Sequence, residues 1–269
     1  MNYVDPIALK LGPLEIHWYA LCIVTGIVCA VIMAVREAKR LQMSEDDIYD
    51  FVLWGVPLSF IGARLYYVVF RLDYYIAHPD QIIAIWNGGI AIYGGLIAGA
   101  IFLYFFCKKR HLNIWRYLDL AAPGVLLAQG IGRWGNFFNH EAYGNIVSRI
   151  TLEKQHIPNF IIENMNIDGY YRQPTFFYES VWDILGVIMM CIYRHFHKTL
   201  HNGEIASLYL MWYSVGRFFI EGLRSDSLYI GHTSLRVSQC LSVVLFILGI
   251  VLFIYVRKKK NNTYQRNYK

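Results

Sequence analysis

Charged residues are scarce in this chain, and their scarcity argues against a water-soluble protein. Only 16% of the 269 residues are Asp, Glu, Lys or Arg, whereas 56% are hydrophobic. The charges cluster between long apolar runs instead of spreading evenly along the sequence. Because a soluble domain needs polar residues over its whole surface, this composition predicts a protein that lies within a membrane.

Several sequence features that would indicate other classes of protein are also missing. The five cysteines form no Cys-x-x-Cys pair and lie within or at the ends of apolar runs, which argues against a disulfide framework and a thiolate metal site. No linker or internal repeat is apparent. The first apolar run lacks a basic start, and its basic cluster follows it, so we interpret the run as a retained span.

Seven apolar runs approach the roughly 20 residues that a helix needs to cross a bilayer. They predict an all-α polytopic membrane protein that forms a single integral membrane domain over residues 1–269. Between the fourth and fifth runs, about residues 139–174 are polar enough to fold as a small extracytoplasmic cap. The predicted spans are residues 17–35, 49–70, 89–107, 117–138, 175–193, 204–223 and 236–256.

Lysine and arginine predict the orientation of these spans, because positively charged short loops stay in the cytoplasm. Basic clusters occur on every second connection and at the C-terminal end, which places the N-terminus outside and the C-terminus inside. The net charge of +6 is then explained by the orientation of the spans and by attraction to the lipid surface. A nucleic-acid partner is not needed to explain it. The clusters are Arg36/Lys39/Arg40, Lys108/Lys109/Arg110/Arg116, Arg194/Lys198 and Arg257/Lys258/Lys259/Lys260.

Two arginines occur in or beside predicted spans, where a cation is costly. At the centre of a bilayer helix an Arg costs about 2.5 to 3.5 kcal/mol, so it normally faces a protein interior, a water-filled cavity or an anion. Arg133 follows the apolar stretch from Leu118 to Ile131, within the fourth predicted span. Arg217 belongs to a polar stripe that includes Tyr213, Glu221 and Arg224 at helical spacing. Two cationic stripes predict an anionic lipid or substrate.

Several polar motifs fall in the outer half or on the outer surface under the predicted topology, which indicates one outward-facing site. They are His17-Trp18-Tyr19, Trp86-Asn87-Gly88-Gly89, Arg133 to Gly144, Gln173-Pro174 and Glu221 to Arg224.

A set of motifs recurs in order along about residues 17–245. They are His17-Trp18-Tyr19, Gly88-Gly89 with Gly94-Gly95, Gly130 to Asn139 with Glu141 and Gly144, Gln173-Pro174-Thr175 with Tyr178-Glu179, Tyr213 to Arg217 with Glu221 and Arg224, and Ser238-Gln239. Together they resemble the motifs of the prolipoprotein diacylglyceryl transferases of the bacterial cytoplasmic membrane.

This resemblance implies an enzyme that moves the diacylglyceryl group of phosphatidylglycerol onto the lipobox cysteine thiol of a prolipoprotein signal peptide. A thioether forms, glycerol phosphate leaves, and neither metal nor cofactor is required. Arg133 and Arg217 are expected to bind the phosphate, because a guanidinium offers a planar fork of donors. Tyr93 and Glu141 complete the expected catalytic set. The other residues expected to bind substrate are His17, Tyr19, Arg64, Asn136, Asn139, Gly144, Tyr213, Glu221 and Arg224.

Tyr93 departs from the commonest pattern of the family, in which many members carry a histidine assigned as the base. A tyrosine is ordinarily protonated at neutral pH and is a poor base there. Tyr93 can still donate a hydrogen bond or act through a neighbouring cation. The proton then goes to Glu141, His140, His17 or the substrate phosphate, and the sequence leaves these alternatives open.

Other residues have a structural interpretation beside the functional one. Arg64 belongs to a third helical stripe and either extends the headgroup site or hydrogen-bonds within the protein. The pair of Arg217 and Glu221 at i, i+4 can be wholly structural. Glu179 and Asp183 lie one turn apart, but no second feature of a hydrolytic site accompanies them. The histidines at 195, 197 and 201 have metal-like spacing but fall in a predicted cytoplasmic loop.

Two rival functions are consistent with charges inside a membrane protein. A transporter or lipid translocator needs polar groups through the full membrane depth or internal repeats, whereas the predicted cytoplasmic halves here are basic rims without a polar stripe. An intramembrane protease needs a nucleophile and a base on facing helices, and no Gly-x-Ser-x-Gly segment is present. The sequence therefore favours the transferase.

Overall fold

The computed structural model describes residues 4–12, 14–85, 88–231 and 233–266, and most of these residues are helical. Among them, each predicted span corresponds to a helix of at least 18 residues. In chain order the elements are β1 (Ile7–Leu11), β2 (Leu14–His17), α1 (Trp18–Leu41), α2 (Glu45–Val69), α3 (Leu72–Ala77), α4 (Ile92–Lys109), α5 (Ile114–Phe138), α6 (Arg149–Lys154), α7 (Asn159–Asn164), β3 (Asn166–Ile167), β4 (Tyr170–Tyr171), α8 (Thr175–Phe196), β5 (Thr199–His201), α9 (Glu204–Glu221), α10 (Val237–Lys258) and β6 (Thr263–Gln265).

Five of the described helices are long and apolar enough to cross a membrane, namely α1, α2, α4, α8 and α10. These helices expose many large apolar side chains, such as Leu53 of α2 at 64% and Leu96 of α4 at 63%. Lipid is the solvent that accommodates such surfaces. The chain is thus a helical membrane protein. Helices α5 and α9 are outside this set of five, and they carry Arg133 and Arg217.

The helix ends differ from the predicted limits where apolarity alone is a poor guide. Helix α1 continues beyond residue 35 to Leu41, and Lys39 and Arg40 lie in its last turn, where cations interact favourably with the helix dipole. Helix α4 begins at Ile92 instead of residue 89, because Gly88 and Gly89 have positive φ angles of 80° and 73° that end regular helix.

The chain divides into two compact units, one of residues 42–117 and one of residues 1–41 with 118–269. In the first unit, α2 and α4 approach closely through glycines. A Cβ atom on Gly94 would lie 2.4 Å from the carbonyl oxygen of Gly62, so only glycine permits this backbone contact. Gly94 was predicted as part of a family motif, and the close approach gives that glycine a packing role.

In the larger unit, the segment between α5 and α8 folds around an apolar core of its own. It contains α6, α7, β3 and β4. Leu152, Ile161 and Ile162 are fully buried and pack with Phe137 of α5 and Phe176 of α8. This core explains how the segment predicted as a cap, residues 139–174, forms a defined structure on the ends of two long helices.

The end of the chain also folds back onto the larger unit. Strand β6 pairs antiparallel with β5. Arg266 is only 6% exposed, and its guanidinium contacts the buried carboxylate of Glu37 through Nε at 2.6 Å and Nη2 at 2.8 Å. The hydroxyl of Tyr264 donates to Asp119 at 3.1 Å. We call residues 262–266 the C-terminal clasp, because they connect α1, α5 and β5.

Candidate active site

Helices α8 and α9 are fastened together by two tryptophans that exchange hydrogen bonds. The indole N–H of Trp182 donates to the carbonyl of Trp212 at 3.0 Å, and that of Trp212 donates to the carbonyl of Trp182 at 2.9 Å. The rings stack with centroids 4.4 Å apart. Gly186 and Gly216 leave room for them, since a Cβ at either position would clash with a ring. This double contact fixes the register of α8 against α9.

Helix α5 is fixed to the same part of α8 that carries Trp182. The indole N–H of Trp134 donates to Ser180 Oγ at 3.2 Å. Gly130 lies against Asp183, because a Cβ on Gly130 would be 3.2 Å from the Asp183 Cβ. The contacted residues, Ser180 and Asp183, lie one and four positions after Glu179 on α8. The three helices therefore hold that carboxylate in a defined place between α5 and α9.

Glu179 joins the two arginines that the sequence predicts to act together. Arg133 Nη2 lies 2.5 Å from Glu179 Oε1, and Arg217 Nη1 lies 3.5 Å from Glu179 Oε2. Arg217 Nη2 also lies 2.6 Å from Glu221 Oε2. We call this row, Arg133–Glu179–Arg217–Glu221, the ion-pair chain. It confirms the i, i+4 pairing of Arg217 with Glu221.

The ion-pair chain explains how two arginines are tolerated in apolar helices. The carboxylate side chains are almost fully buried, with Glu179 5% and Glu221 3% exposed, while Arg133 is 23% and Arg217 15% exposed. Two cations and two anions balance formally, which offsets much of the cost of burying each charge alone. The arginines keep partial access, so they can meet a ligand.

The bridging role of Glu179 is not predicted by the sequence, in which its spacing from Asp183 indicates only a possible hydrolytic pair. The available signal was an acidic residue in a predicted span of a protein with two intramembrane cations, because such charges usually pair with one another. The partner could not be chosen from the sequence, since it depends on how α5, α8 and α9 are arranged.

The predicted signature segment forms the end of α5 and the turn that follows it. Helix α5 ends at Phe138. Glu141 then accepts hydrogen bonds at its Oε1 from the side-chain amides of Asn136 at 3.0 Å and Asn139 at 3.4 Å. Its backbone N–H donates to the carbonyl of Asn136 at 3.0 Å. Glu141 therefore holds the turn in shape, in addition to any part it takes in proton transfer.

His140 lies in this turn with a positive φ of 52°. Burial lowers the pKa of His140. The imidazole is thus neutral at neutral pH, which is the form that can accept a proton. His140 remains among the alternative proton acceptors that the sequence predicts.

Gly144 is where the signature turn meets the start of α8 and the end of α9. Its N–H donates to the carbonyl of Gln173 at 2.9 Å, and it forms an isolated antiparallel bridge with Arg224. A Cβ on Gly144 would lie 2.9 Å from the carbonyl oxygen of Leu223. The close approach of three segments requires glycine at this position. Three motifs that are distant in sequence are therefore brought together here.

Arg224 does not continue the helical stripe of Tyr213, Arg217 and Glu221, and the prediction that it does is wrong. Helix α9 ends at Glu221, so Arg224 lies in the following loop. Its Nε and Nη2 donate to the two carboxylate oxygens of Asp226 at 2.9 and 2.8 Å, which lowers the pKa of Asp226. Gly222 follows the last helical residue. The spacing of the polar residues in the sequence does not show that the helix ends there.

The remaining predicted residues of the larger unit lie near the helix ends that form the site. Tyr19 packs on Gly135 of the signature segment, where a Cβ would be 2.5 Å from the tyrosine ring. Tyr213 lies one turn before Arg217 on α9 and stacks on Tyr209 with centroids 6.0 Å apart. His17 is the last residue of β2 and is exposed.

Tyr93 and Arg64 belong to the other compact unit. Tyr93 lies in the first turn of α4 and is 45% exposed. Arg64 is buried, and its guanidinium donates to backbone carbonyls, including those of Ile82 at 2.9 Å, Gly88 at 2.7 Å and Gly89 at 2.6 Å. These contacts favour the structural interpretation of Arg64, in which it holds the loop before α4. Trp86 and Asn87 of the predicted motif lie outside the described residues.

The histidine group at 195, 197 and 201 is not arranged as a metal site in the part of the chain that the structure describes. His197 stacks on Tyr193 with centroids 4.2 Å apart. His201 Nδ1 lies 3.2 Å from the buried carboxylate of Glu204. No group of three or more potential metal ligands occurs among the described residues.

Comparison with known proteins gives a match over almost the whole chain. The family model of prolipoprotein diacylglyceryl transferase matches residues 6–255. A protein of Streptococcus sanguinis SK36 is 55% identical over 265 residues, which cover 97% of this chain and 99% of the relative. A protein of Streptococcus uberis 0140J is 53% identical over 262 residues, with 97% and 98% covered. Both relatives are named phosphatidylglycerol–prolipoprotein diacylglyceryl transferase.

Proposed function

The chain belongs to the prolipoprotein diacylglyceryl transferase family, and on that premise we propose that it transfers the diacylglyceryl group of phosphatidylglycerol to the lipobox cysteine of prolipoproteins. This is the first step of bacterial lipoprotein maturation. The observation that carries the proposal is the pairing of Arg133 and Arg217 with one carboxylate between three helices. Two guanidiniums at one place can both reach a single phosphate group.

In the proposed reaction the cysteine sulfur attacks the glycerol carbon that bears the phosphate ester. The new S–C bond forms as the C–O bond to phosphate breaks, and the bonding electrons leave with the glycerol phosphate. Arg133 and Arg217 stabilise the negative charge that grows on the phosphate oxygens. The thiol gives its proton to one of the acceptors that the sequence predicts, Glu141, His140, His17 or the substrate phosphate, because the thiolate is the effective nucleophile.

Around this centre, Tyr19, Asn136, Asn139, Gly144 and Tyr213 are proposed to form the substrate-binding surface. Gly144 does so indirectly, since it lets the signature turn approach the end of α9. The same set includes His17, Glu221, Arg224 and Arg64, of which Glu221 acts by orienting Arg217. Arg64 acts by holding the loop before α4.

We further propose that all seven long helices span the bacterial cytoplasmic membrane, with the N-terminus outside and the C-terminus inside. The alternating basic connections support this orientation. The folded core of residues 139–174 supports a cap on the outer side. Both substrates lie in the membrane, so a site at the outer ends of α5, α8 and α9 gives them access from the lipid.

Labelling of single cysteines tests this topology. A membrane-impermeant maleimide added to intact cells should label Lys154→Cys, which is exposed at the end of α6, because the cap faces outward. Lys198→Cys, exposed between α8 and β5, should react only after the membrane is opened. The variants need a background without the five natural cysteines. Reversed accessibility of the two positions contradicts the outward-facing site.

Paired substitutions at Tyr93 and Glu141 test where the proton chemistry takes place. If the Tyr93 hydroxyl donates a hydrogen bond to phosphate or thiolate, Tyr93→Phe should slow transfer by roughly tenfold to a hundredfold, since one hydrogen bond to a charged group is lost. Tyr93→His should keep substantial activity, because imidazole can donate the same kind of bond and accept a proton. Initial rates of peptide modification provide the measurement.

The Glu141→Gln variant completes this comparison. A fully active Tyr93→Phe with an inactive Glu141→Gln would assign Tyr93 to packing and the proton to the signature turn. Gln at 141 can still accept from Asn136 and Asn139, so the turn is retained while the charge is lost. Normal rates in both Tyr93→Phe and Glu141→Gln would indicate that the reaction needs no protein base. Phosphate release and stabilisation by the arginines would then suffice.

The proposed function itself is tested by transfer with purified components. Full-length protein is incubated with phosphatidylglycerol vesicles and a lipobox peptide, and the peptide is analysed by mass spectrometry. We expect a mass increase of one diacylglyceryl group on the cysteine peptide and none on the matched serine peptide. An unmodified cysteine peptide, or equal modification of both peptides, contradicts the proposal.

A further inference from the structure

The contacts within the ion-pair chain lead to an inference about Glu179. This inference rests on the proposed function. We propose that Glu179 is an internal counter-anion that occupies the phosphate position between Arg133 and Arg217 and is displaced by the lipid headgroup. Glu179 is then a positioning residue: it keeps the two guanidiniums in place when no lipid is bound and competes with the phosphate for them.

The contacts of Glu179 are those expected of a phosphate substitute. Its two carboxylate oxygens face different arginines, at 2.5 Å from Arg133 and 3.5 Å from Arg217. A phosphodiester likewise presents two charged oxygens that can each meet a guanidinium. Glu221 already pairs with Arg217 through its other nitrogen, at 2.6 Å. Glu179 is thus the only described carboxylate within 4 Å of both arginines.

The hydrogen-bond geometry indicates that this contact can be exchanged. Glu179 Oε1 and Arg217 Nη1 are buried, and neither makes a hydrogen bond within the described residues. The Arg217 contact, at 3.5 Å, is also longer than the roughly 2.7 to 2.9 Å of a charge-assisted hydrogen bond. A phosphate that enters between the arginines can supply a closer and directed contact to Arg217.

Competition of this kind has a measurable consequence for affinity. The apparent affinity of a ligand is reduced by the fraction of protein in which its binding groups are already occupied. Glu179 therefore weakens the binding of any phosphate to the site. The same carboxylate can return to the arginines after transfer and thereby promote release of glycerol phosphate, which keeps its charge when it leaves.

Removal of the competing charge should tighten anion binding. Titration of the detergent-solubilised full-length protein with glycerol phosphate is expected to show a dissociation constant that is at least about tenfold lower for Glu179→Gln than for the unmodified protein. The Michaelis constant for phosphatidylglycerol should fall and turnover should slow, because the product is held longer. Uncharged glycerol should bind neither protein detectably.

A purely structural role for Glu179 predicts the opposite, since loss of a buried partner would weaken both the fold and the site. Glu37→Gln is the matched control: Glu37 is a buried carboxylate that also pairs with an arginine, Arg266, but lies outside the ion-pair chain. Its glycerol phosphate affinity should equal that of the unmodified protein. Equal tightening in Glu37→Gln, or none in Glu179→Gln, overturns the proposal.

Glu179→Asp keeps the test decisive if the neutral variant does not fold. Aspartate retains the charge but is one methylene shorter, so it cannot reach both arginines equally well. Its affinity for glycerol phosphate should exceed that of the unmodified protein, because the shorter carboxylate competes less well for the arginines, and an equal or lower affinity overturns the proposal. These titrations need no peptide and no transfer. A protein that binds as expected but does not modify the peptide would refute the proposed function alone.

Discussion

Replacement of Arg133 or Arg217 by lysine is expected to slow diacylglyceryl transfer by roughly thirtyfold to a thousandfold, because each change removes about 2 to 4 kcal/mol of transition-state stabilisation. Lysine keeps the positive charge but loses the planar fork that can contact Glu179 or phosphate through two nitrogens. Arg217 is the more sensitive position, since its Nη1 and Nη2 contact two different carboxylates. Initial rates at saturating phosphatidylglycerol measure the effect.

The control is the same substitution at an arginine outside the site. Arg149 lies in the segment predicted as a cap and pairs with Glu153 and Glu163, each at 2.8 Å, with 41% of its side chain exposed. Arg149→Lys should therefore leave the transfer rate unchanged, because exposed ion pairs contribute little. Near-normal turnover in both Arg133→Ala and Arg217→Ala, at normal protein levels, would remove these arginines from the mechanism.

The largest expected effect on stability arises at the C-terminal clasp. Glu37→Ala should lower the free energy of unfolding by about 3 to 5 kcal/mol, because it leaves the guanidinium of Arg266 buried without its carboxylate. Arg266 also donates to the carbonyl of Arg194, so its displacement would disturb the end of α8. Burial raises the pKa of Tyr264, which keeps its hydroxyl protonated as the donor to Asp119. Unfolding in a denaturing detergent provides the measurement.

Two further variants separate an uncompensated charge from a general loss of packing. Glu37→Met combined with Arg266→Met should recover most of the lost stability, because apolar residues of similar volume often replace a buried ion pair without cost. Glu15→Ala breaks the exposed pair with Lys10 and should cost less than about 1 kcal/mol. An unchanged unfolding transition in Glu37→Ala would show that the clasp does not stabilise the larger unit.

The long helices could be predicted from the sequence because lipid imposes a simple length and composition on each span. Their ends could not, because the apolar pattern does not show features such as the positive φ angles of Gly88 and Gly89, which exclude these residues from α4. The segment predicted as a cap was recognised only as a polar stretch. Its buried Leu152, Ile161 and Ile162 are few in number and are spaced irregularly among polar residues.

The candidate site was predictable where a residue type is costly in a membrane, as for Arg133 and Arg217. Glu179 was visible as a charge but not as their common partner, since this depends on the register that Trp182 and Trp212 impose on α8 and α9. For Arg64 the sequence left two alternatives, hydrogen bonds within the protein or a part in the headgroup site, and the contacts with the loop before α4 correspond to the first. The C-terminal clasp had no sequence signal, because Glu37 and Arg266 are separated by almost the whole chain.

Isotope tracing of phosphatidylglycerol tests the central claim most directly, because it shows which bond of the lipid breaks. The diacylglyceryl part is labelled with deuterium and the headgroup glycerol with carbon-13, and the protein is given this lipid and a lipobox peptide. We predict a peptide that carries the complete deuterated diacylglyceryl group on its cysteine, and glycerol phosphate that carries all of the carbon-13. Carbon-13 on the peptide, or transfer of an acyl chain without its glycerol, would contradict the account.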